Sequence, residues 1–182
     1  MPLARRSRRL HASLGLLVAV WLAWAAPAVA VERGKLFGGA AIGAGFIGRE
    51  GVSSEPGLAA AFHLGWMFGQ TWGVVLDGHS VLHPTYFAGE SQLTSAMGGI
   101  GARYFPTDRL WLQLVFGSGR LDTDLSSAFG AQTTSAAVGA GTGFELVQSK
   151  HFALDLTGRF GYFKDGDRGV TNLCVAIGLN LY

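Results

Sequence analysis

From His151 to Phe163 the chain reads H-F-A-L-D-L-T-G-R-F-G-Y-F, and its side chains sort by parity. Phe152, Leu154, Leu156, Phe160 and Tyr162 share one parity, while Asp155, Thr157 and Arg159 hold the other. A strand points successive side chains to opposite faces, so this segment has one apolar face and one charged face. The same period recurs along the chain. Leu36 to Phe46 carries Leu36, Ile42 and Phe46 in phase, with Gly48 to Pro56 reading as a polar turn. Leu58 to Phe68 carries Phe62, Leu64 and Trp66 on one side and His63 on the other. Gly69-Gln70-Thr71 then predicts a tight hairpin that pairs Phe68 with Trp72 and His63 with Asp77.

The third strand places Trp72, Val74, Leu76 and Leu82 opposite Asp77 and His79, and His83 to Ser91 reads as a longer loop. Gln92 to Phe105 sets Ile100 and Tyr104 against Arg103, followed by a turn at Pro106-Thr107-Asp108-Arg109. Leu110, Leu112, Leu114 and Phe116 then face away from Trp111 and Gln113, and Ser118 to Thr133 is non-periodic. The sixth strand carries Val138, Phe144 and Leu146 against Glu145. Lys164 to Arg168 reads as a charged loop, and Thr171 to Tyr182 has Leu173, Val175, Ile177, Leu179 and Leu181 in phase.

Roughly eight strands of about ten residues match the smallest membrane barrels. Connections after Phe68, Phe105 and Val147 are short, and those after Ile47, Leu82, Gly117 and Phe163 are longer and more polar. Short periplasmic turns and long outer loops have this asymmetry, which predicts that both termini lie in the periplasm. The lipid-facing set is then Leu64, Trp66, Leu76, Leu112, Phe152, Leu154, Leu156, Phe160, Ile177 and Leu179.

Targeting changes the charge balance. Met1 to Ala30 has a basic start (Arg5, Arg6, Arg8, Arg9), an apolar run over Leu14 to Ala26 and the small-x-small site Ala28-Val29-Ala30. It reads as a signal peptide cut after Ala30, leaving 31–182 as the barrel domain. Those four arginines are among the chain's 14 basic residues; the remaining ten face twelve acidic ones, so the basic balance gives no support for nucleic-acid binding. Cys174 is the only cysteine, which rules out an internal disulfide and leaves a small inward filler.

With these features the chain resembles the small outer-membrane β-barrel proteins of Gram-negative bacteria, the OmpA/OmpX-like transmembrane barrel class, over Lys35 to Tyr182. The resemblance implies an all-β, eight-stranded antiparallel up-and-down barrel in the cell outer membrane. It also implies contact with outer-membrane lipids, lipopolysaccharide and the outer-membrane assembly machinery. In that class the last aromatic shares parity with the apolar residues before it. Tyr182 is out of phase with Leu181, Leu179 and Ile177, and a bulge near Asn180 would restore the phase.

The inward face collects His63, Asp77, His79, Arg103, Gln113, Glu145, Asp155 and Arg159. These predict a polar network filling the lumen, with His63 and Asp77 close enough for a charge-assisted hydrogen bond. Inward Gly39, Gly43, Gly99, Gly101, Gly139 and Gly141 leave room either for water or for larger neighbours. Catalysis has little support: His79 and Ser80 are adjacent and so face opposite sides. No helix follows the glycines of Gly38 to Gly43, so no nucleotide cofactor is expected. His79 with His83, Asp122 with Asp124, and Asp165 with Asp167 are weak metal candidates, and the acidic pairs read better as solvated loop tips.

The expected function is a non-enzymatic outer-membrane barrel with a filled lumen, acting structurally or through its outer loops. One alternative is a narrow channel for water, ions or small solutes. A second is a soluble secreted or periplasmic ligand carrier, which requires Phe152, Leu154, Leu156, Phe160 and Tyr162 to point inward.

Overall fold

The computed structural model describes Arg33 and residues 35–49, 52–83, 93–122 and 134–182. The proposed signal peptide, most of the His83–Ser91 loop, Asp124 and the rest of 123–133 lie outside these residues. Eight strands follow in chain order: β1 (Leu36–Arg49), β2 (Val52–Phe68), β3 (Trp72–His83), β4 (Leu93–Tyr104), β5 (Leu110–Asp122), β6 (Ser135–Gln148), β7 (Phe152–Asp165) and β8 (Arg168–Leu181). Each pairs antiparallel with the next, and β8 closes on β1. Closure leaves no sheet edge, so the ladder hydrogen bonds are satisfied within the wall.

The alternation along each strand becomes an inside and an outside. Ile42, Leu64, Leu76, Ile100, Leu114, Val138, Leu156 and Ile177, one from each strand, are exposed on the outer face. So are Trp66, Leu112, Phe152, Leu154, Phe160, Tyr162 and Leu179. A soluble carrier would need the β7 members of this set inside, and the structure turns them out.

One end of the barrel consists of tight turns. Phe68 pairs with Trp72 around Gly69, whose φ of 80° favours glycine. Outside the hairpin, the Trp72 ring lies 4.4 Å from that of Tyr104. In the β4–β5 turn, Thr107 Oγ1 accepts hydrogen bonds from the backbone N–H groups of Arg109 (3.3 Å) and Leu110 (3.0 Å). Neighbouring turns are laced together: Phe105 N–H donates to Thr71 O and Glu145 N–H to Arg109 O, both at 2.8 Å.

The opposite end corrects three expectations. β1 runs to Arg49 and β2 begins at Val52, so Gly48 to Pro56 is mostly strand; Pro56 pairs with Phe46. Proline is tolerated there because the β2–β3 pairing begins only at Leu58. β5 continues to Asp122, opposite Thr94, where the non-periodic stretch was expected to begin at Ser118. Asp165 pairs with Arg168 around Gly166 (φ 61°), so the charged loop is a tight hairpin. The 17 residues of β2, at about 3.4 Å each, exceed an apolar band about 25 Å tall. Polarity therefore marks where these strands leave the apolar layer, while their pairing continues.

Two register shifts occur, between Ile47 and Arg49 and between Glu145 and Val147. The second moves the outward phase of β6 from Phe144 to Val147, which displaces Leu146 from the apolar face assigned to it. The β7–β8 and β1–β8 pairings run without a shift near Asn180. Asn180 is consequently buried, and Tyr182 turns into the barrel instead of joining the outer aromatics.

Candidate functional site: the barrel interior

The strand parity that exposes leucines outside sends a second set of side chains inward. His63, Asp77, His79, Arg103, Gln113, Glu145, Asp155 and Arg159 are all buried, between 0% and 7% exposed. The structure divides them into four groups. In the middle of the lumen, Arg159 donates from Nε to Asp77 Oδ2 (3.3 Å) and from Nη1 to Thr157 Oγ1 (2.6 Å). Its Nη2 faces His63 Nδ1 at 3.5 Å. His63 and Asp77 stand opposite each other in the register, yet Arg159 takes both. Arg159, reaching across the lumen, bonds Asp77 and stands beside His63, so a cation from a distant strand joins the pair that the register sets opposite each other.

The second group rests on aromatic rings. Arg103 Nε and Nη2 both donate to Gln113 Oε1, at 3.1 and 2.8 Å. The Arg103 guanidinium lies 4.2 Å from the Trp111 ring and 5.1 Å from that of Phe37, so ring faces supply much of its stabilisation. Trp111 in turn donates from Nε1 to Asp155 Oδ2 (2.9 Å), which also accepts from Asn180 Nδ2 (2.8 Å). The third group lies at the turn side. There Glu145 accepts from Gln148 (2.7 Å) and from the Tyr182 hydroxyl, and Arg33 stands 3.5 Å from Glu145.

Toward the other end, His79 Nε2 donates to Asn172 Oδ1 (2.8 Å), and Asn172 Nδ2 donates to Ser95 Oγ (3.1 Å). Asn172 thus stands between the histidine and the buried serine, and His79 Nδ1 is 3.9 Å from Asp77, too long for a hydrogen bond. No nucleophile is bonded to a base here. Alongside and beyond this layer Ile47, Val81, Met97, Val115, Phe163, Val170 and Cys174 form an apolar cluster.

Glycines make the filling possible. A Cβ on Gly143 would lie 2.3 Å from Trp111, and one on Gly178 would lie 2.3 Å from Asp155. At Gly141 it would meet Gln113 at 2.9 Å, and at Gly39 it would meet His63 at 2.7 Å. At these four positions the space is taken by large side chains from neighbouring strands, whereas a Cβ on Gly43, Gly99 or Gly101 would meet mainly backbone. The gap bounded by Asp77, His79, Gln113 and Arg159 is too small to admit a water molecule.

Of the metal candidates, the Asp122–Asp124 pair lies partly outside the described residues. No group of three ligating side chains occurs among the described residues. Asp165 accepts from Arg49 (3.1 Å), and Asp122 lies 3.1 Å from Arg120. Sequence reasoning put Thr157 and Asn172 on the inward parity but named neither in the polar network, and it did not place Arg33, Asn180 or Tyr182 inside. The parity of β8 places Asn172 and Asn180 in phase with Cys174, which is a usable signal. Arg33 precedes every periodic segment and gives none.

A closed eight-stranded antiparallel barrel with apolar side chains outside and polar and charged side chains inside is the architecture of a small transmembrane barrel. Solved structures agree on the fold. Neisserial surface protein A superposes with a TM-score of 0.61 at 17% identity, covering 81% of this chain and 97% of that one. Ail, the attachment invasion locus protein of Yersinia pestis, gives 0.55 at 17% identity, covering 82% and 98%. Ail in complex with the heparin analogue sucrose octasulfate gives 0.56 at 17%, covering 81% and 99%. No protein-family model and no curated protein matches the sequence. The chain has the fold of the eight-stranded outer-membrane barrels.

Proposed function

We propose that the protein is a non-enzymatic outer-membrane barrel whose wall is structural and whose loop-bearing end makes its external contacts. The observation that carries this reading is the division of the wall: every strand presents a large apolar side chain outward, while charged and polar side chains and an apolar cluster are buried inside. An apolar belt of this kind is stable in lipid and a liability in water. On this reading Met1 to Ala30 is removed as a signal peptide and both ends of domain 31–182 lie in the periplasm. Leu64, Trp66, Leu76, Leu112, Phe152, Leu154, Leu156, Phe160, Ile177 and Leu179 contact lipid.

At the loop-bearing end the strands project beyond the belt with Arg49, Lys164, Asp165 and Arg168 at their tips. Lys164 and Arg168 are exposed there, which suits the anionic head groups of lipopolysaccharide. Insertion would pass through the outer-membrane assembly machinery. A filled lumen is favoured over a channel where inward Gly39, Gly139 and Gly141 make room for the His63, Met97 and Gln113 side chains.

Fractionation tests the location. The processed chain is expected in the outer-membrane fraction, extractable only with detergent and running faster on gels before boiling than after. Recovery as a detergent-independent soluble protein would refute the proposal.

A further inference from the structure

The turn-side mouth of the barrel contains an arrangement that the wall does not require. Arg33 belongs to no strand, yet its side chain is only 4% exposed. Its guanidinium lies 4.0 Å from the Phe105 ring and 5.7 Å from the Tyr182 ring. Nη2 donates to Asp108 O (2.5 Å) and stands 3.5 Å from Glu145 Oε2. Two ring faces, a fully buried carboxylate and a backbone carbonyl thus converge on one planar cation.

The walls of this cage are fixed without Arg33. Phe105 and Glu145 are anchored through their backbone N–H groups on Thr71 O and Arg109 O, and Tyr182 N–H donates to His151 O (3.0 Å). Gln148 Nε2 bridges Glu145 Oε2 (2.7 Å) and Asp108 O, and the Tyr182 hydroxyl donates to Glu145 Oε1. Tyr182 also stacks on Phe37, with centroids 6.5 Å apart. A single carboxylate between aromatic faces is a poor divalent-metal site, which needs several oxygen ligands, but it suits a flat, weakly hydrated cation.

The geometry points to a guanidinium-binding cage at the turn-side mouth, formed by Phe105, Tyr182, Glu145 and Asp108 O and occupied in cis by Arg33. With Arg33 removed, the cage accepts a free guanidinium-type cation. Arg33 is thus both the occupant of a binding site and the stopper of that end of the lumen.

The test is chemical rescue in the full processed chain, folded in detergent. Arg33→Ala is expected to lower the thermal unfolding midpoint. Methylguanidinium chloride should raise it again, saturably in the millimolar range, relative to equal sodium chloride. Wild type, whose cage is filled, should not respond, and Arg33→Ala combined with Glu145→Gln should respond weakly or not at all. No response of Arg33→Ala beyond the salt control, or an equal response in the double variant, would overturn the assignment. If Arg33→Ala refolds poorly, its refolding yield with and without the cation becomes the readout, and a cation-independent yield counts against the cage. Arg33→Lys keeps the charge and loses the plane; it should sit at an intermediate midpoint that methylguanidinium raises. A wild-type midpoint for that variant would contradict planar recognition.

Discussion

The two ends of the lumen are lined by the same eight strands and filled by different mixtures. Charged groups are set among Phe37, Met67, Val75 and Phe105 toward the turns, and the His79–Asn172–Ser95 chain borders an apolar cluster toward the loops. From the middle of the lumen to the tight turns, Arg159, Arg103, Trp111, Asp155, Glu145 and Tyr182 interlock through hydrogen bonds and ring contacts. Toward the loops, Val81, Met97, Phe163, Val170 and Cys174 pack as an ordinary apolar core. The difference shows how each half responds to damage. A buried charge that loses its partner retains its full desolvation cost, whereas an apolar side chain loses contacts in proportion to the atoms removed. The polar half is therefore the less tolerant one, although its partners make it no more stabilising when intact.

The largest expected effect follows directly. Arg159→Ala strips Asp77 of its cation and should cost about 3–5 kcal/mol in reversible unfolding from lipid. Arg159→Met combined with Asp77→Leu should recover much of that loss, because no unpaired charge remains. If the single and double variants were equally damaged, packing volume alone would account for the polar half.

The outer face supplies the next effect. Leu156→Arg, near the middle of β7, should cost about 2–4 kcal/mol, and Leu36→Arg, at the turn-side rim of β1, about 0–1. Equal costs at the two depths would remove the case for a hydrocarbon layer around this wall. A smaller change is expected in the apolar half. Val170→Ala removes about two buried carbons and should cost about 1–2 kcal/mol. A loss there as large as that of Arg159→Ala would erase the contrast between the halves.

The smallest perturbation tests orientation. A cysteine at Thr107, in a tight turn, should be shielded from an impermeant thiol reagent added to intact cells, while one at Asp167, in the β7–β8 turn, should be labelled. The reverse pattern would invert the topology.

The division between outer face and lumen is legible in the sequence, whereas the contrast between the two ends of the lumen is not. The parity of β7 separates Leu154, Leu156 and Phe160 from Asp155 and Arg159, because a two-residue period needs only local sequence to read. The His63–Asp77 register also follows from counting outward from Gly69. Partner choice was not legible. Arg159 reaches His63 and Asp77 across the bore, a relation that depends on barrel closure and on which side chain is long enough to span it. The bulge at Glu145–Val147 was likewise hidden, since nothing between Phe144 and Gln148 announces an extra residue. Strand ends were misjudged for a different reason. Gly48, Pro56 and Lys164 carry turn-like chemistry yet lie in strands whose pairing outlasts the apolar belt.

Recording from single reconstituted barrels in a planar bilayer tests the filled lumen most directly. With Arg33, Glu145 and Tyr182 at the turn-side mouth, Arg103 on Trp111 in the middle and Met97 and Phe163 beyond, no steady conductance is expected at moderate voltage. Stable single-channel steps whose size changes in Arg159→Ala or Asp155→Ala would show that ions pass through the interior and would contradict the account.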